Sequence, residues 1–233
     1  MSVKFMKPVL SVVLVDVNAS VVKAWRTAFA DTPEVEIVGG SITTLAVDAW
    51  VSPTNSRGRM DGGVDAVIKR HLGAQIETRV QHEIARHHDG FLPVGAATCV
   101  PTGIGFPRFL ISAPTMVKSA ENVSETMNVA LACAAAFQAI HMQNAQEPDS
   151  ILSVAIPGLG AATGRVPPRV CANLMWTGYT LFNDHSFDSY DALRETLHEE
   201  LGGLGAKLER ERVRVQVPLA TLEDDEYEGG CCH

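Results

Sequence analysis

The stretch "SPTNSRGRMDGGVDAVIKRHLG", residues 52–73, joins the end of an apolar run to the start of a helical pattern. Its loop contains Asn55 and the glycine pair Gly62 and Gly63, and Asp65 lies in the first turn of the predicted helix. Glycines let a backbone approach a ligand closely, and the free amides of a first helical turn attract anions such as phosphate. A strand, a glycine-rich loop and a helix in this order are typical of a ligand-binding α/β protein.

A second glycine-rich loop, "PGLGAATGRVPP" at residues 157–168, follows another apolar run later in the chain. It contains Gly158, Gly160 and Gly164. In open α/β sheets, ligands bind beyond the carboxyl ends of the strands, where loops turn into helices. Two phosphate-compatible loops in one domain therefore predict a ligand that carries two phosphates.

Apolar runs and helical patterns alternate along the whole chain. Strands are predicted at residues 11–17, 35–40, 47–53, 93–101, 108–116 and 151–160. Helices are predicted at residues 19–29, 64–72, 76–88, 124–145, 169–182 and 190–201, with Ser124 as the expected cap of the longest one. Strands that alternate with helices favour an α/β fold with helices on both faces of a mostly parallel sheet.

The composition is that of an ordinary globular protein. Of the 233 residues, 46% are hydrophobic, and 19 Lys and Arg against 27 Asp and Glu give a formal charge of −8. The positive charges are scattered, so neither a nucleic acid nor a membrane surface is expected as a partner. No apolar run approaches the ~20 residues that cross a bilayer. The five cysteines form no disulfide framework, and we expect a cytoplasmic protein.

Two other site classes fail on spacing. The segment "GLGAATG", residues 158–164, has one residue too many for the GxGxxG fingerprint of dinucleotide-binding folds. In "HEIARH", residues 82–87, the second His stands one position too late for the HExxH zinc motif, so His82, His87 and His88 are predicted to be a solvated helix end. We expect no cofactor and no metal site, and the terminal "CCH" stays open as a fragment of one.

Asn55 and Asp65 each have a purely structural alternative. An Asn before glycines is commonly a turn residue, and an Asp at a helix start commonly complements the helix dipole. Taken one at a time, both residues favour that structural interpretation. The spacing of the whole stretch is what favours a functional one.

"VDAWVSPTNSRGRMDGGVDAVI", residues 47–68, resembles the signature of macrodomains, the ADP-ribose-binding family. In that signature an apolar strand, an Asn-containing turn, a glycine run, Val and Asp precede a helix. Asn55 precedes Asp65 by ten positions, as in the hydrolytic branch of the family. Residues 93–115 are similar to the two central strands of the family, and residues 155–167 to its second phosphate-binding loop.

The resemblance covers residues 10–183 and implies a three-layer α/β/α sandwich with a mixed, mostly parallel central sheet. A macrodomain-like domain is expected over residues 1–205. The remaining residues, 206–233, would form a C-terminal extension that ends in "EDDEYEGGCCH", which has the composition of a solvated acidic tail.

By the same resemblance, the ligand is ADP-ribose or an ADP-ribosylated substrate. Asn55 would hydrogen-bond the distal ribose, and Asp65 would orient or deprotonate a water near the anomeric carbon of that ribose. Backbone amides of the two loops would hold the two phosphates. The implied ligand-binding residues are Ser41, Ile42, Asn55, Gly62, Gly63, Val64, Gly158, Leu159, Gly160, Ala161, Ala162, Thr163 and Gly164.

Several positions depart from the family pattern. Ser41 takes the place of an Asp that contacts adenine, so we expect a weaker adenine contact. Asp61 replaces a glycine, and a carboxylate beside phosphate is unfavourable unless it points to solvent or caps the helix. Ala161, Ala162 and Thr163 stand where an aromatic residue often covers the distal ribose.

The predicted function is ADP-ribose binding, with hydrolysis of an ADP-ribosyl bond to a protein carboxylate or to another acyl or phosphate group. A first alternative is a binding module that reads ADP-ribosylated partners or a related nucleotide signal without turnover. A second is an interaction domain that keeps the fold with an empty cleft.

Overall fold

The computed structural model describes residues 10–184 together with Ala192, Glu195, Thr196 and Glu199. Its strands are β1 (Ser11–Asp16), β2 (Val35–Gly39), β3 (Ala49–Ser52), β4 (Thr98–Pro101), β5 (Phe109–Ser112) and β6 (Ser153–Ile156). Its helices are α1 (Ala19–Ala28), α2 (Gly63–Leu72), α3 (Gln75–His88), α4 (Asn128–Gln146) and α5 (Pro168–Asp184), with a short 3-10 helix at Ile42–Thr44.

The described strands form one sheet in the order β2-β1-β6-β3-β5-β4. Strand β1 pairs in parallel with β2 and β6, and β3 pairs in parallel with β6 and β5. The edge strand β4 runs antiparallel to β5, across the turn that the sequence predicted between them. The predicted mixed, mostly parallel sheet of an α/β fold is confirmed.

Helices cover both faces of this sheet. On one side α5 packs against α1 and α4, and on the other α2 packs against α3. The core under α2 and α3 contains Trp50, Ile68, Ile76 and Leu110, each at most 1% exposed. Large apolar side chains at strand and helix spacing therefore build the three layers that the sequence pattern implied.

Helix α4 lies deepest in the molecule, with every residue from 129 to 140 buried. Gly178 of α5 lets the two helices approach closely, because a Cβ at this position would stand only 2.5 Å from the carbonyl oxygen of Ala130 in α4. The predicted cap at Ser124 is wrong, since α4 begins at Asn128 after the cap residue Met127. The chain before it is bound elsewhere: Val123 is buried and its amide donates to the Gly164 carbonyl at 3.0 Å.

The strands are shorter than the apolar runs that predicted them. The run at residues 93–101 becomes a strand only at Thr98, after a turn in which the Ala96 amide donates to the Pro93 carbonyl. The run at residues 151–160 leaves the sheet after Ile156. Residues buried beside the sheet are apolar whether or not their backbone pairs with a neighbouring strand. An apolar run therefore predicts that a strand exists, but not where it begins and ends.

The chain divides into two compact units, residues 1–194 and residues 195–233. All the named strands and helices belong to the first unit. In the second unit, Glu195, Thr196 and Glu199 are helical. The predicted boundary at residue 205 and the "CCH" terminus lie outside the described residues, so both stay predictions. No helix among the described residues is long and apolar enough to cross a membrane.

Candidate active-site cleft

A cleft of about 280 Å³ opens at the carboxyl edge of the sheet. Its walls come from the loops that follow β2, β1, β6, β3 and β5, which are neighbours in the sheet in that order. The lining residues include Asp16, Ser41, Asn55, Arg59, Asp61, Gly62, Gly63, Asp65, Ser119, Gly158, Gly160 and Thr163. Because these five strands are parallel, loops that are distant in sequence end at the same edge and face each other.

The turn after β3 is organised by the side chain of Asn55. The Asn55 Oδ1 atom accepts hydrogen bonds from the Arg57 amide at 2.9 Å and the Arg59 amide at 3.3 Å. The Asn55 carbonyl accepts from the Gly58 amide at 2.8 Å. The purely structural interpretation of Asn55 is therefore partly correct, because this buried side chain stabilises the turn. Only its Nδ2 group, which donates to Ser119 Oγ at 2.8 Å, is directed away from its own loop.

The amino terminus of α2 presents free amides to the cleft. No described residue accepts a hydrogen bond from the amides of Gly62, Gly63 or Val64. Gly63 has a φ of 53°, a conformation that side chains other than glycine adopt at a cost. Gly62 has an extended backbone, and a Cβ there would meet nothing nearer than Thr163 Oγ1 at 3.9 Å. The fold itself thus needs a glycine at position 63 but not at position 62.

Asp65 is held in the wall of the cleft by β3. Its Oδ1 atom accepts a hydrogen bond from Ser52 Oγ at 2.6 Å, and the residue is only 9% exposed. Burial raises the pKa of Asp65 to about 7; the Ser52 hydrogen bond opposes this rise, and the charge of Asp61 adds to it. Near neutral pH the group is therefore present in both protonation states, which suits a general base or acid.

The loop after β6 lies opposite α2 and offers further free amides. No described residue accepts from the amides of Gly160, Ala162 or Thr163. Gly160 has a φ of 69°, so the turn itself requires glycine there. A Cβ at Gly164 would lie 2.7 Å from the Gly160 carbonyl oxygen, so this glycine is explained by packing of the loop on itself.

The two loops touch at one point. A Cβ at Gly63 would lie 3.2 Å from Thr163 Oγ1, so the start of α2 and the loop after β6 are in close contact there. Amides from both sides therefore converge on one part of the cleft. Such convergent N–H groups form a concave site for an anion without any Lys or Arg side chain.

Sequence reasoning missed Asp16, which stands at the end of β1. Its Oδ1 atom accepts from the Asn18 amide at 2.8 Å and its Oδ2 atom from the Gly158 amide at 3.1 Å. Because a Cβ at Gly158 would lie 2.6 Å from Oδ2, this glycine is needed to bring the loop onto the carboxylate. The polar "DVN" that ends the first apolar run was a signal for this residue, but nothing in the sequence paired it with residue 158.

The predicted ligand residues are largely brought together. Ser41 lines the cleft and caps the 3-10 helix, with its Oγ atom 2.8 Å from Thr43 Oγ1 and accepting from the Thr43 amide at 3.3 Å. Of the predicted set, Leu159 and Ala161 do not line the cleft, and Leu159 is fully buried. Gly158 and Gly160 on either side of it line the cleft, whereas the side chain of Leu159 packs in the core.

Asp61, which departs from the glycine of the family pattern, is bound by a neighbouring loop. The exposed Asp61 carboxylate accepts from Ser119 Oγ, at 3.3 Å to Oδ1 and 3.4 Å to Oδ2. Ser119 follows β5, and no sequence signal had singled it out. The carboxylate is thus turned toward the loop after β5, away from Thr163 and the loop after β6.

Fold and cleft together define an α/β protein with a cleft lined by free backbone amides at the carboxyl edge of its sheet. Residues 51–175, more than half of the chain, match the family described as Macro domain. An uncharacterized protein of Aquifex aeolicus is 37% identical over 142 residues, which are 61% of this chain and 78% of that protein. An uncharacterized protein of Aeropyrum pernix is 26% identical over 186 residues, or 76% and 92% of the two chains.

A solved structure supports the same fold. The macrodomain of Mycobacterium tuberculosis DarG matches 61% of this chain and 88% of that chain, with 22% sequence identity and a TM-score of 0.51. The chain belongs to the Macro domain family. The family resemblance stated from residues 47–68 is confirmed.

Proposed function

We propose that the cleft binds ADP-ribose or an ADP-ribosyl group and hydrolyses the bond at the anomeric carbon of the distal ribose. The observation that carries binding is the convergence of unpaired backbone amides from the start of α2 and from the loop after β6. A diphosphate satisfies donors on both sides at once, which a single phosphate does not. Recognition by amides also suits a chain with a formal charge of −8.

The residues proposed for hydrolysis lie next to these amides. The free hydrogen of the Asn55 amide would bond a hydroxyl of the distal ribose and orient the ring. In its ionised form, Asp65 would take a proton from a water as the water oxygen bonds to the anomeric carbon. The bond from that carbon to the leaving group breaks, and the leaving group departs with a proton from solvent. The raised pKa of Asp65, near 7, supports this role because it makes the carboxylate a stronger base.

The first test is calorimetric titration of the whole chain with ADP-ribose, with AMP and NAD as comparisons. Micromolar binding selective for ADP-ribose, worth ~8 kcal/mol, is expected. Absence of heat and of any thermal shift with all three ligands would contradict the proposal and leave an interaction domain with an empty cleft.

The second candidate, a binding module without turnover, is tested with variants at the two reacting positions. Hydrolysis of an ADP-ribosylated peptide is compared for the wild type, Asn55→Ala and Asp65→Asn. Loss of turnover with binding within about threefold of the wild type would support catalysis. A wild type that binds ADP-ribose and releases no product from any ADP-ribosyl bond would favour the reader function. The observation on its side is that Asn55 Oδ1 is bonded within its own loop, so only the free Nδ2 hydrogen of this side chain can orient the ribose.

A further inference from the structure

A continuous polar chain closes one end of the cleft. Asn55 Nδ2 donates to Ser119 Oγ at 2.8 Å, and the Ser119 hydroxyl donates in turn to the Asp61 carboxylate. The chain joins the loop after β3 to the loop after β5. It places an exposed negative charge two hydrogen bonds from the Asn55 amide, which the proposed function assigns to the distal ribose.

The order of the strands separates this charge from the anion-binding amides. Strand β3 lies between β6 and β5 in the sheet. The start of α2 meets Thr163 on the β6 side, whereas Asp61 bonds Ser119 on the β5 side. A diphosphate held between α2 and the loop after β6 therefore lies on one side of the β3 loop, and the Asp61 carboxylate on the other.

Among the described residues, Arg59 is the one cation that lines the cleft. It is exposed, and it lies near enough to Glu77 for its charge to help lower the pKa of that carboxyl group. Lys118 precedes Ser119 and is exposed, but it is not part of the cleft wall. The acid Asp65 adds further negative charge here whenever it is ionised. Among the described lining residues, three carboxyl groups, those of Asp16, Asp61 and Asp65, thus stand against the one cation Arg59.

We infer that Asp61 is a specificity-determining residue that excludes ADP-ribose carrying a phosphate on the anomeric oxygen and admits ADP-ribosyl groups whose attached group is neutral or cationic. The inference rests on the proposed function, because that function sets which end of the ligand faces Asn55. A phosphate at the anomeric oxygen would bring a second negative charge beside the Asp61 carboxylate. Like charges a few ångströms apart at a protein surface repel by an amount worth about tenfold in affinity.

The exclusion concerns recognition and leaves the chemistry of hydrolysis unchanged. With a peptide ester, the water oxygen bonds to the anomeric carbon, the bond to the ester oxygen breaks, and free ADP-ribose and the peptide acid result. With the 1''-phosphate, the same step would release inorganic phosphate. The two substrates differ in the charge that must enter beside Asp61.

The test is a comparison of ADP-ribose with ADP-ribose 1''-phosphate by calorimetric titration, with phosphate release measured in the same samples. The wild type is expected to bind ADP-ribose at least tenfold more tightly. In Asp61→Asn, which keeps an acceptor for Ser119, the two affinities should agree within about threefold because the 1''-phosphate binds better. Asp31→Asn is the matched control: this exposed carboxylate lies before β2, at the other end of the strands, and should retain the full difference.

Salt provides an independent readout. Raising the ionic strength screens an exposed charge, so the tenfold preference of the wild type should shrink, whereas the preference of Asp61→Asn should not change. A wild type that binds both ligands equally, or an Asp61→Asn variant that keeps the discrimination, overturns the inference and leaves ADP-ribose binding intact. A wild type that binds neither ligand refutes the proposed function instead. Asp61→Ser, with a melting temperature equal to that of the wild type, repeats the test with a shorter side chain.

Discussion

Asp65 shows how one residue acquires chemistry from its surroundings. An aspartate in the first turn of a helix ordinarily stabilises that helix as an anion. Here its burial against β3 disfavours the anion and raises the pKa of Asp65 to about 7. The burial that would make Asp65 a stronger base in the proposed hydrolysis therefore has a cost in stability at neutral pH.

This cost predicts a pH-dependent gain in stability for Asp65→Asn. The folded-state pKa, about 7, lies above the ordinary aspartate pKa of 3.8, so the stability that Asp65 contributes is fully present below pH 3.8 and is lost as the pH rises to about 7. Asn does not titrate and can still accept from Ser52. Between pH 4 and 7, the advantage of the variant should grow by roughly 1.4 kcal/mol for each pH unit.

Urea unfolding of the wild type and the variant at pH 4, 5.5 and 7 measures this difference. Asp31→Asn, at an exposed carboxylate, should show a constant difference from the wild type over the same range. A pH-independent difference for Asp65→Asn would mean that the carboxyl group titrates normally in the folded protein.

The same pKa predicts the pH profile of turnover. If ionised Asp65 is the base, kcat/KM for an ADP-ribosylated peptide should rise about tenfold per pH unit below pH 7 and level off above it. The profile is measured from pH 5 to 9 with the substrate shown to be stable over that range. A profile that is flat between pH 5 and 7 would remove Asp65 from that role.

At the scale of elements, the two glycines at the start of α2 are present for different reasons. Gly63 needs its positive φ for the turn into the helix, whereas Gly62 has room for a Cβ within the described structure. The backbone therefore explains one glycine of the pair, Gly63, and does not require the other, Gly62, which the proposed function assigns to close approach of the ligand.

A matched pair of alanine variants tests this distinction. Gly63→Ala should lower the free energy of unfolding by about 1 kcal/mol, because alanine is strained in the left-handed region. Gly62→Ala should leave the free energy of unfolding within about 0.5 kcal/mol of the wild type, as surface substitutions usually do. It should nevertheless weaken ADP-ribose binding at least tenfold by placing a methyl group at the free amides. Equal ADP-ribose affinity for Gly62→Ala and the wild type would place the phosphate elsewhere.

At the scale of the whole molecule, Asp48 ties three strands together at the edge of the sheet opposite the cleft. Its Oδ2 atom accepts from the amides of Leu152 and Ser153 and from Ser153 Oγ, between 2.8 and 3.0 Å. Its Oδ1 atom accepts from Arg108 Nη2 at 2.9 Å. One carboxylate before β3 thus joins the chain entering β6 to the chain entering β5.

Asp48→Ala should therefore lower the free energy of unfolding by about 2 kcal/mol at pH 7, because the part-buried Ser153 donors, the Leu152 amide and the Arg108 guanidinium all lose their acceptor. Although burial raises the pKa of Asp48, the hydrogen bonds from Leu152, Ser153 and Arg108 together hold it below its usual value. Its contribution to stability is then present above the ordinary aspartate pKa of 3.8 and lost as the pH falls through the lower folded-state pKa. The destabilisation, measured by urea unfolding, should be smaller at pH 3 than at pH 7. An equal loss at both pH values would assign the effect to packing alone.

Local patterns in the sequence determined the class of the fold and the two loops of the cleft. The alternation of apolar runs with helical periodicity predicted each strand of the described sheet, and short-range spacing predicted Asn55, Asp65 and both glycine loops. The 3-10 helix at Ile42–Thr44 and the late start of α4 were not predicted, since the latter depends on a contact between Val123 and Gly164. Periodicity reports which side of an element is buried, and it contains no information about what lies against it.

The sequence by itself determined the order of the elements, the α/β class and the two glycine-rich loops with Asn55 and Asp65, because each of these depends on neighbours within a few positions. Only the tertiary structure decided that β6 lies between β1 and β3, which sets the loop after β6 against the start of α2 and brings Asp16 to Gly158. It also decided that Ser119 joins Asn55 to Asp61, and that Asp65 is buried deeply enough to change its pKa. Pairing between distant strands and the burial that follows from it are properties of the assembled sheet, and no local stretch of the chain contains them.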